Sequence, residues 1–426
     1  MIKILTEKRE AISLLALLAF SLLIRVLLFP LPGAQGDLYY FGQWFHAAAD
    51  HGPRVFYNVV TSYNVLFCDY PPFNVYFFWI FGSLAKALSL FGTPFIDYII
   101  KLLPTLFDTA TVFLIFTFLR KQFSFKTSLL TAALYAFNPA VIFDSAIWGQ
   151  FDAIYTFFLL LSLMLLFDSK PKLSAVTFTI GILTKPQGIA LAPLIIFLIL
   201  RKHGWRSLFT SLLTATATIF AVILPFEWSN PITFLWNIYF GAYSGYTENT
   251  VNAFNIWALG GLRQPDTQVL FTAGWIMFGT VAAFTLYVLH KRLDKSEELP
   301  ILFAAFMLFF SFFMLPTRIH ERYLFPVLSV LALMLPFSKK IRPIYAALTF
   351  TCLANIAYVL CFINAGQFIQ FGDPVVWIVT LINLAVFLYA LMLMTTDLQG
   401  KNSDQIQPNQ HPNKNQLEDL SKNEHQ

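Results

Sequence analysis

The chain has 426 residues, of which 57% are hydrophobic and only 12% are charged, and its formal net charge is +5. Repeated apolar runs of about 15 to 24 residues fit helices that cross a hydrocarbon core about 30 Å thick. These runs lack the alternation of barrel strands, the other architecture that can cross lipid. The composition excludes a soluble globular protein. Because the basic residues form short clusters between apolar runs, it also gives no indication of nucleic-acid binding. We therefore predict an all-α, polytopic membrane protein.

In chain order, the apolar runs predict about twelve membrane-spanning helices, at residues 11–30, 99–119, 127–144, 153–167, 172–184, 187–200, 207–226, 267–289, 299–316, 323–337, 343–363 and 374–396. Basic clusters occupy alternate loops, at residues 120–126, 170–172, 201–206, 291–295 and 339–342. By the positive-inside rule these loops and both termini face the cytoplasm, and the loops between them are extracytoplasmic. The pattern predicts a multi-pass protein of the cell membrane.

The first extracytoplasmic loop, residues 31–98, is unusually long and aromatic. Apolar residues recur at helical spacing after Asp37, which predicts a helix lying along the interface with its apolar side down. Asp37 is itself a candidate N-cap of this helix. Residues 73–92 are apolar enough to span, but Lys86 and the charge alternation favour an interfacial or re-entrant helix. A full crossing is the alternative.

Two further features define the domain organisation. The fifth and sixth predicted spans are short and meet at the sequence TKPQG (184–188), where the proline breaks the helix. Interrupted helices are tolerated only where they face protein or a water-filled cavity. Residues 397–426 are polar and lack an apolar period, so we expect a membrane domain over residues 1–396 followed by a disordered cytoplasmic tail.

Polar residues of unusual type gather on the predicted extracytoplasmic side. Arg318 and Arg322 are four residues apart, so they would share a helix face and suit a phosphate group. The sequence WGQFD combines a stacking surface, an amide and a carboxylate, which suits a sugar. The candidates are Asp37, Asp69, Tyr70, Trp148, Gln150, Asp152, Lys185, Gln187, Arg318, His320, Glu321 and Arg322. Together they predict a wet cleft at one membrane face.

Each motif also has a structural interpretation. The sequence DYPP (69–72) is a rigid turn, because its prolines fix φ and forbid a helix before them. WGQFD could be a helix-end aromatic anchor with a cap. Lys185 and Arg25 could extend to the membrane surface. The sequence RIHER (318–322) could be an internal ion-pair network.

The chain resembles a known family over residues 20–330. The segments GAQGDLYYF, DYPP, KLLPTLFDTATV, NPAVIFDSAIWGQFDAIY, TKPQ and HERYLFP are similar, in the same order, to mannosyltransferases of glycosyltransferase superfamily C (GT-C). The closest similarity is to prokaryotic relatives of the glycosylphosphatidylinositol second-mannose transferase. The resemblance implies a GT-C fold and an inverting transferase that acts at the outer face on a polyprenyl-phosphate sugar, with Asp37 as the catalytic base. Gly36 and Leu38 flank Asp37, so the adjacent second acid of a metal-binding pair is missing.

The residues support this chemistry independently. Phosphate is a good leaving group, so one base for the acceptor hydroxyl and cations for the developing phosphate charge suffice. We assign the base to Asp37 and donor phosphate binding to Arg318, Arg322, His320 and Lys185. Sugar or acceptor binding is assigned to Trp148, Gln150, Asp152, Asp69, Tyr70, Gln187 and Glu321. We expect no cofactor and no metal ligands, and we leave dependence on a divalent metal open.

The predicted function is transfer of a sugar, mannose by resemblance, from a polyprenyl-phosphate donor to a glycolipid or glycan acceptor. The partners are therefore these two substrates and the lipid bilayer, without nucleic acid. The alternative is a secondary transporter, suggested by the broken helices and by Asp108 inside a span. A transporter would be expected to show repeat symmetry and binding groups near the midplane, and neither is clear in the sequence.

Overall fold

The predicted apolar runs form helices in the structure, a computed structural model that describes residues 2–293 and 298–396. The first half of the chain contains α1 (Ile2–Leu28), α2 (Gln35–His51), α3 (Phe56–Val59), α4 (Pro72–Ala87), α5 (Ile96–Arg120), α6 (Phe125–Ala136), α7 (Pro139–Ile142), α8 (Asp152–Phe167) and α9 (Pro171–Thr184). The second half contains α10 (Ala192–Ile223), α11 (Pro231–Ser244), α12 (Gln268–Arg292), α13 (Glu298–Met314), α14 (Phe325–Met334), α15 (Ile341–Asn364) and α16 (Pro374–Thr395). Within the described ranges there are isolated β-bridges but no strand. The predicted tail, 397–426, lies outside the described residues.

Local sequence explains where many of these helices begin. The side chains of Ser124, Asn138 and Asp373 accept hydrogen bonds from the first free N–H groups of α6, α7 and α16. Proline occupies the first turn of several helices, including Pro72 in α4 and Pro171 in α9, where its missing N–H costs nothing. Capping and proline placement therefore set helix starts without help from distant parts of the chain.

Six helices of the described chain are long and apolar enough to cross a membrane, and a bent pair, 125–136 with 139–148, adds a seventh candidate. The helices α8, α13 and α14 are apolar but shorter. The all-α polytopic class is therefore confirmed, and every predicted span contains a helix. The spans predicted at 187–200 and 207–226 fall on α10, whose backbone leaves helical geometry at Gly204. The number of crossings stays a prediction.

The first long loop folds onto the membrane domain through α2 and α4. Helix α2 buries Leu38, Phe41, Phe45 and Ala48, so the predicted helix and its apolar side are confirmed. It packs so closely on α4 that a Cβ at Gly82 would lie 2.2 Å from the Phe45 carbonyl oxygen. Helix α4 has 16 residues and is about 24 Å long, shorter than a hydrocarbon core of about 30 Å. Its interfacial or re-entrant placement stays a prediction.

Two predictions about polar segments are wrong. Residues 315–324 are turns and bends, because Pro316 follows the end of α13 at Met314 and Arg318 has a left-handed φ of 64°. Arg318 and Arg322 therefore do not share a helix face. The second error concerns residues 227–265, between the predicted spans 207–226 and 267–289, where no helix is predicted although the segment contains α11 and a 3-10 helix at Ile256–Gly260. Asn230 followed by Pro231 was the available start signal for α11.

Candidate active site

A half-open cavity of about 460 Å³ lies where the chain brings its unusual polar residues together. Seven of the predicted site residues line it: Asp69, Tyr70, Lys185, Gln187, Arg318, His320 and Arg322. Aromatic side chains line the cavity as well: Tyr239, Phe240, Phe271, Trp275 and Phe312. The cavity thus combines charged and apolar lining residues.

The break between α9 and the following 3-10 helix, Pro186–Leu191, places Lys185 at this cavity. Pro186 forces the residue before it into an extended conformation, with φ −145° and ψ 127° at Lys185. The side chain is only 4% exposed, and its Nζ lies 2.8 Å from Asp152 Oδ2. Extension of Lys185 to the membrane surface is therefore excluded. The predicted helix break is confirmed, and it places the buried cation Lys185 at the cavity.

Two glycines allow the start of the first loop to approach the sequence WGQFD. A Cβ at Gly33 would lie 2.5 Å from the Ile147 carbonyl oxygen. Gly149 has a φ of 90°, and a Cβ there would lie 2.7 Å from the Leu38 side chain. Neither position has room for a side chain. The contact between α2 and the end of the 143–148 segment therefore depends on glycine.

This contact sets the surroundings of Asp37, which lies in the first turn of α2. Its Oδ2 accepts hydrogen bonds from Trp148 Nε1, at 2.9 Å, and from Gln150 Nε2. No hydrogen-bond donor among the described side chains reaches the other carboxylate oxygen, Oδ1. The Trp148 ring is 1% exposed and packs with Phe254 and Val359, so it orients Asp37 rather than lining the cavity.

A hydrogen-bonded chain runs from Asp37 to the cavity wall. Gln150 Oε1 accepts from Tyr70 OH at 2.9 Å and lies 3.4 Å from Lys185 Nζ. Lys185 pairs with Asp152, and Arg322 Nε lies 3.5 Å from Asp152 Oδ2. The polar network Asp37–Gln150–Lys185–Asp152–Arg322 therefore connects a half-exposed carboxylate with two cations. We call it the site network.

Arg322 is the centre of positive charge in this network. Although burial opposes ionisation, Glu321, Asp152 and Asp37 raise the pKa of Arg322 further above its usual value. Glu321 is buried, and its Oε1 lies 2.7 Å from Arg322 Nη1. Glu321 does not itself line the cavity. Arg322 Nε nevertheless makes no hydrogen bond of good geometry within the described chain. The guanidinium is thus charged, and its hydrogen-bonding capacity is only partly used.

His320 lies beside these cations in an uncharged state. Burial lowers the pKa of His320 well below its usual value, and the charges of Arg322 and Lys185 lower it further. Its ring packs edge-on against Tyr246, with centroids 4.8 Å apart. A neutral imidazole can donate one hydrogen bond to a ligand but adds no charge.

Arg318 reaches the same cavity from a separate ion pair. Its Nε lies 2.9 Å from Asp266 Oδ2, and the guanidinium stacks over Phe271 at 5.0 Å. Thr317 also donates to Asp266. Part of the RIHER segment is therefore an ion-pair network, as its structural interpretation held, although both arginines still face one cavity.

The turn DYPP has both a structural and a site role. Pro71 and Pro72 begin α4, as a rigid turn would. Asp69 lines the cavity, and Tyr246 OH lies 3.4 Å from its Oδ2. Burial raises the pKa of Asp69, and the charge on Asp37 adds to this effect, while Arg322 and Lys185 oppose it. Two carboxylates therefore lie within electrostatic reach of one arginine.

Sequence reasoning missed two contributors. Asp144 is 1% exposed, and neither carboxylate oxygen has a hydrogen-bond partner in the described chain. An aspartate inside an apolar run was the signal that could have identified it. Helix α11 was missed as a helix, and its Tyr239 and Phe240 belong to the aromatic lining of the cavity. Among the described residues, no group of three or more His, Cys, Asp or Glu side chains is arranged to hold a metal ion.

These features define a polytopic helical membrane protein with a charged, half-open site between its helices. Residues 67–318 match the family described as Glycosyltransferase family 87. Because the match covers more than half of the chain, the protein belongs to this glycosyltransferase family. The prediction of a membrane glycosyltransferase is confirmed, and the transporter alternative is not supported. The predicted closer relationship of this chain to second-mannose transferases stays a prediction.

Comparisons with individual proteins add less. No curated protein matches the chain. The apo crystal structure of an oligosaccharyltransferase from Archaeoglobus fulgidus aligns with 92% of this chain, at 13% identity and a TM-score of 0.45. The alignment covers 57% of that protein, so this chain corresponds to little more than half its length. The assignment to family 87 therefore depends on the family match.

Proposed function

We propose that this protein moves a sugar from a polyprenyl-phosphate donor to a lipid- or glycan-linked acceptor, with inversion, at the extracytoplasmic face. The observation that carries the donor class is the cavity of about 460 Å³, which is lined both by the cations Lys185 and Arg322 and by aromatic side chains such as Phe271 and Phe312. A polyprenyl-phosphate sugar has the matching shape, an anionic group joined to an apolar chain. Mannose as the sugar depends on the family resemblance alone.

The proposed reaction needs one base and a stabilised leaving group. The acceptor oxygen bonds to the anomeric carbon while the bond from that carbon to the phosphate oxygen breaks. Polyprenyl phosphate leaves with the electron pair, and Arg322 and Lys185 bind the charge that develops on it. The acceptor proton passes to Asp37, whose Oδ1 is not used by the described side chains and whose Oδ2 is held by Trp148 and Gln150.

The remaining site residues take positioning roles in this proposal. Arg318 and His320 line the phosphate end of the cavity, and Gln187, Asp69 and Tyr70 line the part nearest the sugar. Asp152 and Glu321 hold the two phosphate-binding cations, while Trp148 and Gln150 orient the base. Asp69 is the competing candidate for the base, because it lines the cavity directly and Asp37 does not.

The direct test is incubation of purified full-length protein with polyprenyl-phosphate mannose, polyprenyl-phosphate glucose and nucleotide sugars, with total membrane lipid as the acceptor source. Mass spectrometry of the products should show hexose added from polyprenyl-phosphate mannose. Transfer from nucleotide sugars alone would contradict the donor class. Transfer from polyprenyl-phosphate glucose alone would contradict only the choice of mannose.

The sidedness of the site rests on the basic loops and needs its own test. In a background with Cys68 and Cys361 changed to serine, single cysteines replace Arg54 or Lys170. A membrane-impermeant thiol reagent should label the cysteine at position 54 in intact cells and not the one at 170. Labelling at 170 alone would place the proposed site on the cytoplasmic face.

A further inference from the structure

A second cavity, of about 250 Å³, lies between the 249–263 segment and the end of α15. Asn252, Arg263 and Gln367 supply its polar groups, and Val359 and Phe362 are among its apolar ones. It is separate from the first cavity, and no lining residue is shared between the two. None of the site residues assigned above lines it.

Arg263 gives this cavity a specific chemistry. Its Nε donates to Asn252 Oδ1 at 3.1 Å, and its two terminal nitrogens have no hydrogen-bond acceptor among the described residues. No carboxylate of the described chain lies within ion-pair distance of this guanidinium. An arginine fork with unused donors beside two amide side chains suits the oxygens of a phosphate group.

The second cavity lies next to two parts of the candidate active site: the segment that carries His320 and the loop that carries Asp37. On one side, Asn252 forms a bridge with His320, and Val251 N donates to the Ile319 carbonyl oxygen at 2.8 Å. Arg263 is near enough to His320 to contribute to the lowering of its pKa. The 250–252 segment therefore connects the lining of this cavity, through Asn252, with the lining of the first, through Ile319 and His320.

On the other side, the same cavity adjoins the loop that carries Asp37. Asn364, next to the lining residue Ile363, donates to the Gly33 carbonyl oxygen at 2.8 Å and accepts from Gln35 N at 3.3 Å. Val359 also belongs to the apolar cluster that contains Trp148, which holds Asp37. A ligand in this cavity would thus lie next to residues that contact the loop carrying Asp37.

The rim of the cavity is apolar. Phe368 is 73% exposed and Ile363 is 39% exposed, and Phe371 nearby is 68% exposed. Exposed aromatic and aliphatic side chains next to a phosphate-binding arginine fit an amphiphile better than a water-soluble ligand, because each end of the molecule has a matching surface.

We propose that this cavity binds the acceptor, and that Arg263 pairs with a phosphate group close to the hydroxyl that receives the sugar. The inference depends on the proposed transferase function, to which it adds a second substrate site. It predicts that the acceptor carries a phosphate, either in a lipid headgroup or in a soluble glycan. It also predicts that donor and acceptor approach Asp37 from two different cavities.

The test measures binding of three probes to purified full-length protein in neutral detergent: dioctanoyl phosphatidylglycerol, glycerol 1-phosphate and dioctanoylglycerol. The variants are Arg263→Gln, Gln367→Glu, and Arg54→Gln as a matched control, since Arg54 is an exposed arginine that lines neither cavity. Arg263→Gln should weaken binding of the phospholipid about tenfold or more. Gln367→Glu should weaken it through repulsion, and Arg54→Gln should leave it unchanged.

The outcomes separate the sources of the phosphate and the two proposals. Binding of the phospholipid without glycerol 1-phosphate supports a lipid headgroup, whereas equal binding of both supports a soluble glycan phosphate. If phospholipid binding is unchanged in both Arg263→Gln and Gln367→Glu, or if the neutral lipid binds equally well, the acceptor site is wrong. Because Gln367 is an exposed loop residue, its variant keeps the test valid if Arg263→Gln does not fold.

Failure of the transferase function gives a different result. It appears as absence of sugar transfer in the parent protein from any polyprenyl-phosphate donor. Where the parent does transfer sugar, Arg263→Gln should raise the acceptor KM about tenfold or more and leave the donor KM unchanged. An equal rise in both KM values would indicate a general structural effect and would overturn the acceptor site.

Discussion

The molecule contains two buried charge clusters that differ in whether they border a cavity. In the first, Arg25 and Asp108 are both 0% exposed, and Arg25 Nε lies 3.3 Å from Asp108 Oδ2. Asp108 also accepts from Ser145 and Tyr135, and Arg25 donates to Ser21 and to the Ala136 carbonyl. Arg25 Nη2 has no hydrogen-bond partner in the described chain, so this cluster too is incompletely paired. Neither residue lines either of the two cavities described above. We call this cluster the anchor pair.

The site network is buried and incompletely paired as well, but part of it lines a cavity. Asp152 Oδ1 and Arg322 Nε make no hydrogen bond in the described chain, although their partners lie close by. Lys185 and Arg322 also line the first cavity. A buried charge that leaves capacity unused raises the energy of the empty site, and a ligand of opposite charge lowers it. The comparison shows that neither burial of a charge nor an unused hydrogen-bonding position indicates function by itself, whereas a buried charge that lines a cavity can be reached by a ligand.

The largest expected effect concerns the end of the site network at Asp37. Asp37→Asn keeps the size of the side chain and one oxygen for Trp148 and Gln150, so the fold should remain. Turnover should fall about 10²–10⁴-fold, because an amide cannot take the acceptor proton. Steady-state kinetics with polyprenyl-phosphate mannose measures this, and donor affinity should change little.

Asp69→Asn serves as the comparison for that experiment. If Asp69→Asn abolishes turnover while Asp37→Asn transfers sugar near the parent rate, the base is Asp69. Thermal unfolding of both variants controls for loss of folded protein.

The anchor pair should show the reverse behaviour. Arg25→Met leaves the Asp108 carboxylate buried without its cation, which typically costs about 3–5 kcal/mol of stability. Changing Asp108 to Leu in the same protein should recover most of the loss, since a buried pair can often be replaced by apolar side chains. Reversible denaturation in detergent measures both.

Turnover per folded molecule should stay at the parent value in the Arg25→Met variant. A loss of turnover without a loss of stability would place the anchor pair in the reaction and would remove the distinction between the two clusters.

A smaller effect is expected for donor binding at the cation end of the site network. Arg322→Gln should weaken binding of polyprenyl-phosphate mannose by about 1.5–3 kcal/mol, the range for a hydrogen bond to a charged group. Arg318→Gln should also weaken it, but by less, because Asp266 already pairs with Arg318. Direct binding measurements on both variants test the order, and unchanged affinity in the double variant would reduce the arginines to a structural role.

The smallest expected effect is a pH dependence close to zero. An unperturbed histidine, with a pKa of about 6.5, would gain a proton and strengthen phosphate binding as the pH falls from 8 to 6. The pKa of His320 is lowered well below that value by burial and by its cationic neighbours, so His320 stays neutral over this range. The donor phosphodiester stays singly ionised there as well.

Donor affinity should therefore remain flat between pH 8 and pH 6. A rise in affinity through pH 6.5 that disappears in His320→Gln would show that the histidine does titrate at the site.

Local sequence determined the helical class, most helix positions and the break at Lys185. These depend on interactions within a few residues: apolar runs of sufficient length, capping side chains and the steric effect of Pro186 on the residue before it. The predicted shared helix face of Arg318 and Arg322 is wrong because Pro316 prevents a helix at this position, which the four-residue spacing of the arginines does not reveal. The same local reasoning also missed α11, whose apolar sequence interrupts a segment otherwise rich in polar residues.

Only the tertiary structure decided how the candidate residues are used. Trp148 was predicted to stack on a sugar, yet its ring is buried against Phe254 and Val359 and its indole N–H orients Asp37. Arg25 was expected to extend to the surface, but Asp108, 83 positions away in the chain, pairs with it inside the fold. Such contacts join residues far apart in sequence, so no local pattern encodes them. Their geometry follows from close helix packing, as at Gly33 and Gly149, where a single added carbon would prevent it.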